Sequence, residues 1–166
     1  MEIERKFLVK EIPDLTNTAY KEISQIYISY EPEVRIRKSD NNYFITKKSD
    51  GTLVREEYEE EISKNTFNIL SSLNKGRIVN KTRYLVYING NVGELDIYHN
   101  ELEGLVTLEI EFSNEEHSNA FVVPSWVSEE VTYDKRYKNR NLSSSDLSTI
   151  KELIGEVPNN VKKMSF

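Results

Sequence analysis

The first nine residues, MEIERKFLV, alternate with a period of two: Glu2, Glu4 and Lys6 fall on one parity, Ile3, Phe7 and Val9 on the other. Successive side chains of a β-strand point to opposite faces, so the segment reads as a strand with one charged and one mostly apolar face. Same-face neighbours on a strand lie about 6–7 Å apart, room for one metal ion or phosphate group between two side chains. The pattern recurs with both signs. Arg35 pairs with Arg37, Lys81 with Arg83, Glu94 with Asp96 and Glu109 with Glu111, and Arg55, Glu57, Glu59 and Glu61 share one face. Any one set fits a strand that shows charge to water and apolar groups to a core. All of them together do not, because like charges at this spacing repel unless something neutralises each pair. Basic pairs suit a polyanion, through charge-assisted contacts to phosphate oxygens. Acidic pairs suit a hard divalent cation, Mg²⁺ or Mn²⁺. The implied arrangement has a wet, charged interior with its apolar faces turned outward onto helices.

Bulk properties narrow the class. A chain of 166 residues is expected to form one domain over 1–166, with the motif-bearing part at 1–142 and a C-terminal helix and tail at 143–166. The net charge of -6 argues against a nucleic-acid or anionic-membrane partner. Without cysteine there is no disulfide, thiolate nucleophile or Cys-ligated zinc. Apolar runs are only a few residues long and no leader pattern is visible, so the cytoplasm is the expected location.

Strands dominate the expected elements: 2–9, 23–30, 33–38, 43–48, 53–62, 77–88, 92–99 and 105–113, with hairpin signals at Asp40-Asn41-Asn42 and Asn89-Gly90-Asn91. Ser63 reads as the N-cap of a helix to Leu73, Ser113 or Asn114 caps a short helix to Phe121, and a last helix runs from Ser143–Ser145 to about Ile154. Consecutive hairpins of this kind predict an antiparallel sheet that closes or nearly closes.

With these residues in order, the chain resembles the CYTH domain family of triphosphate tunnel metalloenzymes. Glu2-Ile3-Glu4-Arg5-Lys6 matches its ExExK signature, followed by Arg35 and Arg37 as RxR, Thr46 and Lys48 as TxK, and the strand Arg55–Glu61. Lys81-Thr82-Arg83, Glu94-Leu95-Asp96, Glu109-Ile110-Glu111 and the Thr132, Asp134, Tyr137, Asn139 segment complete the series. The resemblance implies an α+β fold, mainly antiparallel: an eight-stranded β-barrel forming a tunnel with a charged lumen and helices packed outside. It implies that Lys6, Arg35, Arg37, Lys48, Arg55, Lys81 and Arg83 clamp phosphates, with Arg136 added from its place between matching positions. Glu2, Glu4, Glu109 and Glu111 would hold one or two Mg²⁺ or Mn²⁺ ions, and Glu57, Glu59, Glu94 and Asp96 would complete metal binding or orient the basic residues. Glu4, Lys6, Lys48 and Tyr27 are the candidate catalytic groups, the last two as a dyad acting on water.

The function so implied is metal-dependent hydrolysis of a terminal phosphoanhydride, with inorganic tripolyphosphate as the leading substrate and ATP or thiamine triphosphate as alternatives. Rival readings are a class IV type adenylyl cyclase making cyclic AMP and a non-catalytic polyphosphate- or nucleotide-binding module. A long antiparallel wall is compatible with a homodimer. His99 and His117 read as surface residues, Trp126 as a packing anchor, and Asp134 as either a turn cap or a partner for a basic residue.

Overall fold

The computed structural model describes residues 3–49, 56–156 and 162–163. Nine strands form one antiparallel sheet: β1 (Ile3–Val9), β3 (Tyr20–Tyr30), β4 (Glu33–Ser39), β5 (Asn42–Lys48), β6 (Glu57–Ile62), β7 (Val79–Ile88), β8 (Asn91–Tyr98), β9 (Val106–Phe112) and β10 (Val127–Glu130). Their order is β10-β1-β9-β8-β7-β3-β4-β5-β6. A separate parallel pair joins β2 (Glu11–Ile12) to β11 (Lys162–Lys163). The hairpin between β7 and β8 turns on Asn89 and Gly90, both at positive φ, a geometry that the Asn-Gly pair tolerates better than other residues.

The two parities segregate clearly on β4 and β9. On β9, Val106, Leu108, Ile110 and Phe112 are buried in an outer apolar cluster with Phe7, Val9 and Leu95, while Thr107, Glu109 and Glu111 take the other face. On β4 and its neighbours, Ile26, Ile36 and Tyr43 pack outward against Phe67 of α1 (Lys64–Ser71). Burying each such side chain contributes about 1.5–3 kcal/mol, which fixes the register, since a one-residue slip would bring the ionic row to the outer face. The Ser63 hydroxyl accepts from the Thr66 N–H and caps α1 as expected, and Asn114 caps α2 (Glu115–Ala120) through the His117 N–H.

Two expectations about the architecture are corrected. The sheet is not closed: β10 and β6 are its edges and do not pair, so the eight-stranded barrel and its tunnel give way to an open, rolled nine-stranded sheet. The residues explain this. β6 carries Glu57, Glu59, Glu60 and Glu61, and the four-residue β10 carries Glu129 and Glu130, so joining the edges would bring two acidic strands side by side. β10 itself was not expected from the sequence. The second correction concerns the helices. α1 packs outside and the expected last helix is α4 (Leu147–Glu156), but a short α3 (Asn139–Ser144), not expected from the sequence, precedes it. Their Leu142, Ile150 and Leu153 pack on Leu8, Val79 and Tyr98, the apolar ends of the inward-facing rows. One end of the charged face is thereby floored with hydrophobic side chains. Among the described residues no helix is long and apolar enough to cross a membrane.

Candidate active site

Glu4 of β1, the second strand of the sheet, and Glu57 of β6, the last, line the same cavity of about 500 Å³. The sheet therefore rolls far enough to bring its ionic rows face to face. Acids gather on one wall. Glu4 stands opposite Glu111 across β1–β9, Lys6 opposite Glu109, and Glu94 opposite Glu109 across β9–β8. Burial, then the hydrogen bond and charge of Glu109, push the Glu4 carboxyl up to about 7, against the opposing pull of Lys6. Lys6 Nζ lies 3.5 Å from Glu109 and donates to the Tyr137 carbonyl at 3.2 Å. Glu111 is exposed at the rim and faces an adjoining cavity of about 540 Å³, which also contacts Glu4, Glu94 and Glu109. Glu2 lies outside the described residues. Among those described, no three His, Cys, Asp or Glu side chains form a ready-made metal cluster.

Bases gather on the opposite wall, each with a carboxylate neighbour. Arg83 donates to both oxygens of Asp96, at 2.8 and 2.9 Å, and reaches Glu94 at 2.9 Å. Burial works against its charge, but the bonds and charge of Asp96 prevail and raise its pKa. Lys81 is fully buried 2.9 Å from Asp96, although off the line of a good hydrogen bond, and burial lowers its pKa to about 8. Asp96 is held below the usual carboxylate range because Lys81 and Arg83 outweigh the cost of its own burial. Arg37 reaches Glu59 at 3.1 Å and its guanidinium lies 5.5 Å from the Phe44 ring centroid. The Nε atoms of Arg35 and Arg37 are buried without a hydrogen-bond partner. Buried donors of this kind cost free energy unless a ligand satisfies them.

Of the residues expected from sequence, Glu4, Lys6, Tyr27, Arg35, Arg37, Lys48, Glu57, Arg83, Glu94 and Glu109 line the central cavity. Lys81 and Asp96 lie beneath it, and Glu59 braces Arg37. Arg55 is outside the described residues. Arg136 is not among the described residues that line this cavity; its guanidinium lies on Asp134, whose carboxylate also accepts from the Arg136 N–H. The cavity instead takes Lys135, Lys138 and Arg140 from the segment that follows β10. That segment is anchored by Tyr98, whose hydroxyl donates to Asn139 at 2.7 Å, and by Arg140, 3.5 Å from Glu31. These bases escaped sequence reading because an irregular segment has no period to betray its inward side. Glu33 was also missed, although it shares the parity of Arg35 and Arg37; it lines the cavity between Arg35 and Lys48.

Tyr27 faces Arg35 across β3–β4, and burial pushes its phenol up to about 12, against the charge of Arg35. Such a group donates a hydrogen bond and does not act as a base near neutral pH. Lys48 pairs with Glu33, so Tyr27 and Lys48 share the cavity while Lys48 is held by another partner. Neither histidine lines the central cavity: His99 is half-buried on Thr82 at 2.7 Å, and His117 is exposed beside Ser113 in the adjoining cavity.

A pocket with carboxylates on one wall, guanidinium and ammonium groups on the other, and no Ser-His or Cys-His arrangement is equipped for an anion accompanied by a hard cation. Comparison with known proteins agrees with this chemistry. The CYTH domain family profile matches residues 1–133. An inorganic triphosphatase from Nitrosomonas europaea is 43% identical over 148 residues, 87% of this chain and 97% of that protein. Another from Acetivibrio thermocellus is 34% identical over 161 residues, 91% of this chain and 98% of that protein. The crystal structure of an inorganic triphosphatase matches with a TM-score of 0.75 at 39% identity, covering 88% of this chain and 96% of the other. The chain belongs to the CYTH domain family.

Proposed function

We propose that this protein is a divalent-metal-dependent triphosphatase that cleaves the terminal phosphoanhydride bond of inorganic tripolyphosphate. The observation that carries the reading is the row of cations Arg35, Arg37, Lys48 and Arg83 lining a cavity that Glu4, Glu94 and Glu109 also line, with the Nε donors of Arg35 and Arg37 left without a partner. The activity of the two triphosphatase relatives supports the choice of substrate class.

Mg²⁺ or Mn²⁺ suits the donor set. The candidate ligands Glu109 and Glu111, with Glu2, are all oxygen donors, and Glu4 stands opposite Glu111 beside Glu109, a gathering of carboxylates that a hard cation neutralises. When bound, such an ion supplies charge neutralisation at the phosphate oxygens and lowers the pKa of water. The remaining work falls to the chain. Arg35, Arg37, Lys48 and Arg83 hold the triphosphate along the basic wall, and Lys6 reaches it from the acidic side. Tyr27 donates to a phosphate oxygen. Attack by water in line with the terminal phosphorus breaks its bond to the bridging oxygen, and pyrophosphate leaves. The water proton passes to Glu4, a carboxylate of the acidic wall of the cavity. Charge spreading onto the transferred phosphoryl oxygens is met by guanidinium groups already in place.

The test is a product assay with Mg²⁺ or Mn²⁺ over tripolyphosphate, ATP, thiamine triphosphate and pyrophosphate. Tripolyphosphate is expected to be turned over fastest, giving orthophosphate and pyrophosphate. Cyclic AMP from ATP would establish the cyclase reading instead, and no turnover of any compound would leave a binding module.

A further inference from the structure

Glu33 and Glu57 both line the cavity beside the bases of β4 and β5, and Glu33 lies within 4 Å of two of those bases. Glu33, the first residue of β4, lines the cavity with 14% of its side chain exposed. Its Oε2 lies 3.5 Å from Lys48 Nζ and 3.9 Å from Arg35 Nη1. The register produces this placement: Glu33 faces Lys48 directly across β4–β5, and Arg35 follows two residues later on the same face. Both separations are longer than a good charge-assisted hydrogen bond, so the carboxylate is shared between two cations and locked to neither. Its charge also reaches Tyr27 next door, whose phenol it helps to keep protonated.

We propose that Glu33 is a resident counter-anion, occupying the place between Lys48 and Arg35 that a phosphate group of the substrate takes. The inference rests on the triphosphatase reading and adds to it what sets the selectivity of the basic wall. Glu33 offsets the repulsion between Arg35 and Lys48 before substrate arrives, as Glu59 offsets the charge of Arg37. An incoming phosphate must then push the carboxylate aside, because two anions a few ångströms apart repel. Glu33 therefore lowers the affinity of every anion that reaches this point. A chain of several charged groups gains enough elsewhere on the wall to win that exchange, whereas orthophosphate does not.

A brace and a competitor predict opposite signs, which makes the inference testable. Tripolyphosphate and orthophosphate are titrated calorimetrically into the metal-free wild type, Glu33→Gln and Glu33→Asp. As competitor, Glu33 predicts that Glu33→Gln binds tripolyphosphate about three- to tenfold more tightly, the scale of one partly screened ion pair. Orthophosphate binding becomes measurable in the same variant, and Glu33→Asp, which keeps the charge, stays near wild type. In turnover the Gln variant has a lower KM without a higher kcat. Unchanged or weaker binding in Glu33→Gln would overturn the inference, since a mere brace behaves that way. A wild type that neither binds tripolyphosphate in this titration nor hydrolyses it with Mg²⁺ or Mn²⁺ overturns the triphosphatase reading itself and takes the inference with it. One that binds and hydrolyses while Glu33→Gln gains nothing defeats the inference alone.

Discussion

Asp96 lies 2.9 Å from Lys81, with side-chain exposures of 5% and 0%, and the same carboxylate takes two bonds from Arg83. One acid thus secures two cations at the floor of the basic wall. Asp96→Ala leaves the buried Lys81 uncompensated and Arg83 with Glu94 alone, and should cost about 3–5 kcal/mol of stability, read from urea denaturation. Turnover should fall as well, because Arg83 loses its anchor. A stability loss below about 1 kcal/mol would show that water reaches this pair after all.

Glu4 makes the metal-free protein sensitive to pH. Its folded-state pKa of about 7 lies above the ordinary 4.5, so between those values the folded chain binds more protons than the unfolded one. Stability from this group is complete below about 4.5 and declines as pH rises through 7. Glu4→Gln should match the wild type at pH near 4 and exceed it by about 1 kcal/mol near 8, a figure reduced because the residue keeps an exposed flank. Urea midpoints at the two pH values measure this, and equal differences at both would refute it. The same substitution should abolish most turnover.

Tyr27→Phe removes a donor and no base. Turnover should drop about 10- to 100-fold, at or below the scale of one lost transition-state hydrogen bond. The phenol titrates only at about 12, so the pH profiles of wild type and variant should share their limbs below that range. A limb present in the wild type and missing in the variant would identify Tyr27 as a base.

Arg5 sits between Glu4 and Lys6 but on the other face. It reaches Glu130 at 2.7 Å and lies 5.1 Å from the Phe7 ring centroid. Arg5→Ala should cost about 1 kcal/mol of stability and leave turnover within about twofold of wild type. A loss of activity as deep as that of Lys6→Ala would mean that the two parities of β1 are not functionally separate.

The parity of charge was legible because it is a local property. A strand needs only its own period to declare a face, and Lys6, Arg35, Arg83 and Glu109 all follow it into the cavity. Depth is not local. Lys81 shares the face of Arg83, yet it lies under the floor because helices far along the chain cover that end of β7. Closure is less local still, since it depends on whether the acidic strands β6 and β10 can meet, and β10 is a short strand with one buried residue. Lys135 and Arg136 show the remaining limit. In the tight turn after Asp134 neighbouring side chains splay apart, so the first faces the cavity while the second folds back on the aspartate.

Glu4, Glu94 and Glu109 outnumber Lys6 on β1, β9 and β8, and Arg35, Arg37 and Lys48 outnumber Glu33 on β4 and β5, which gives the interior field a transverse component. A metal-chelated polyanion is itself polar and gains energy only when its cationic end points toward the carboxylates. Molecules of similar size but without such polarity experience no aligning torque. On the triphosphatase reading, that field biases the orientation of an entering chelate before any individual contact is made.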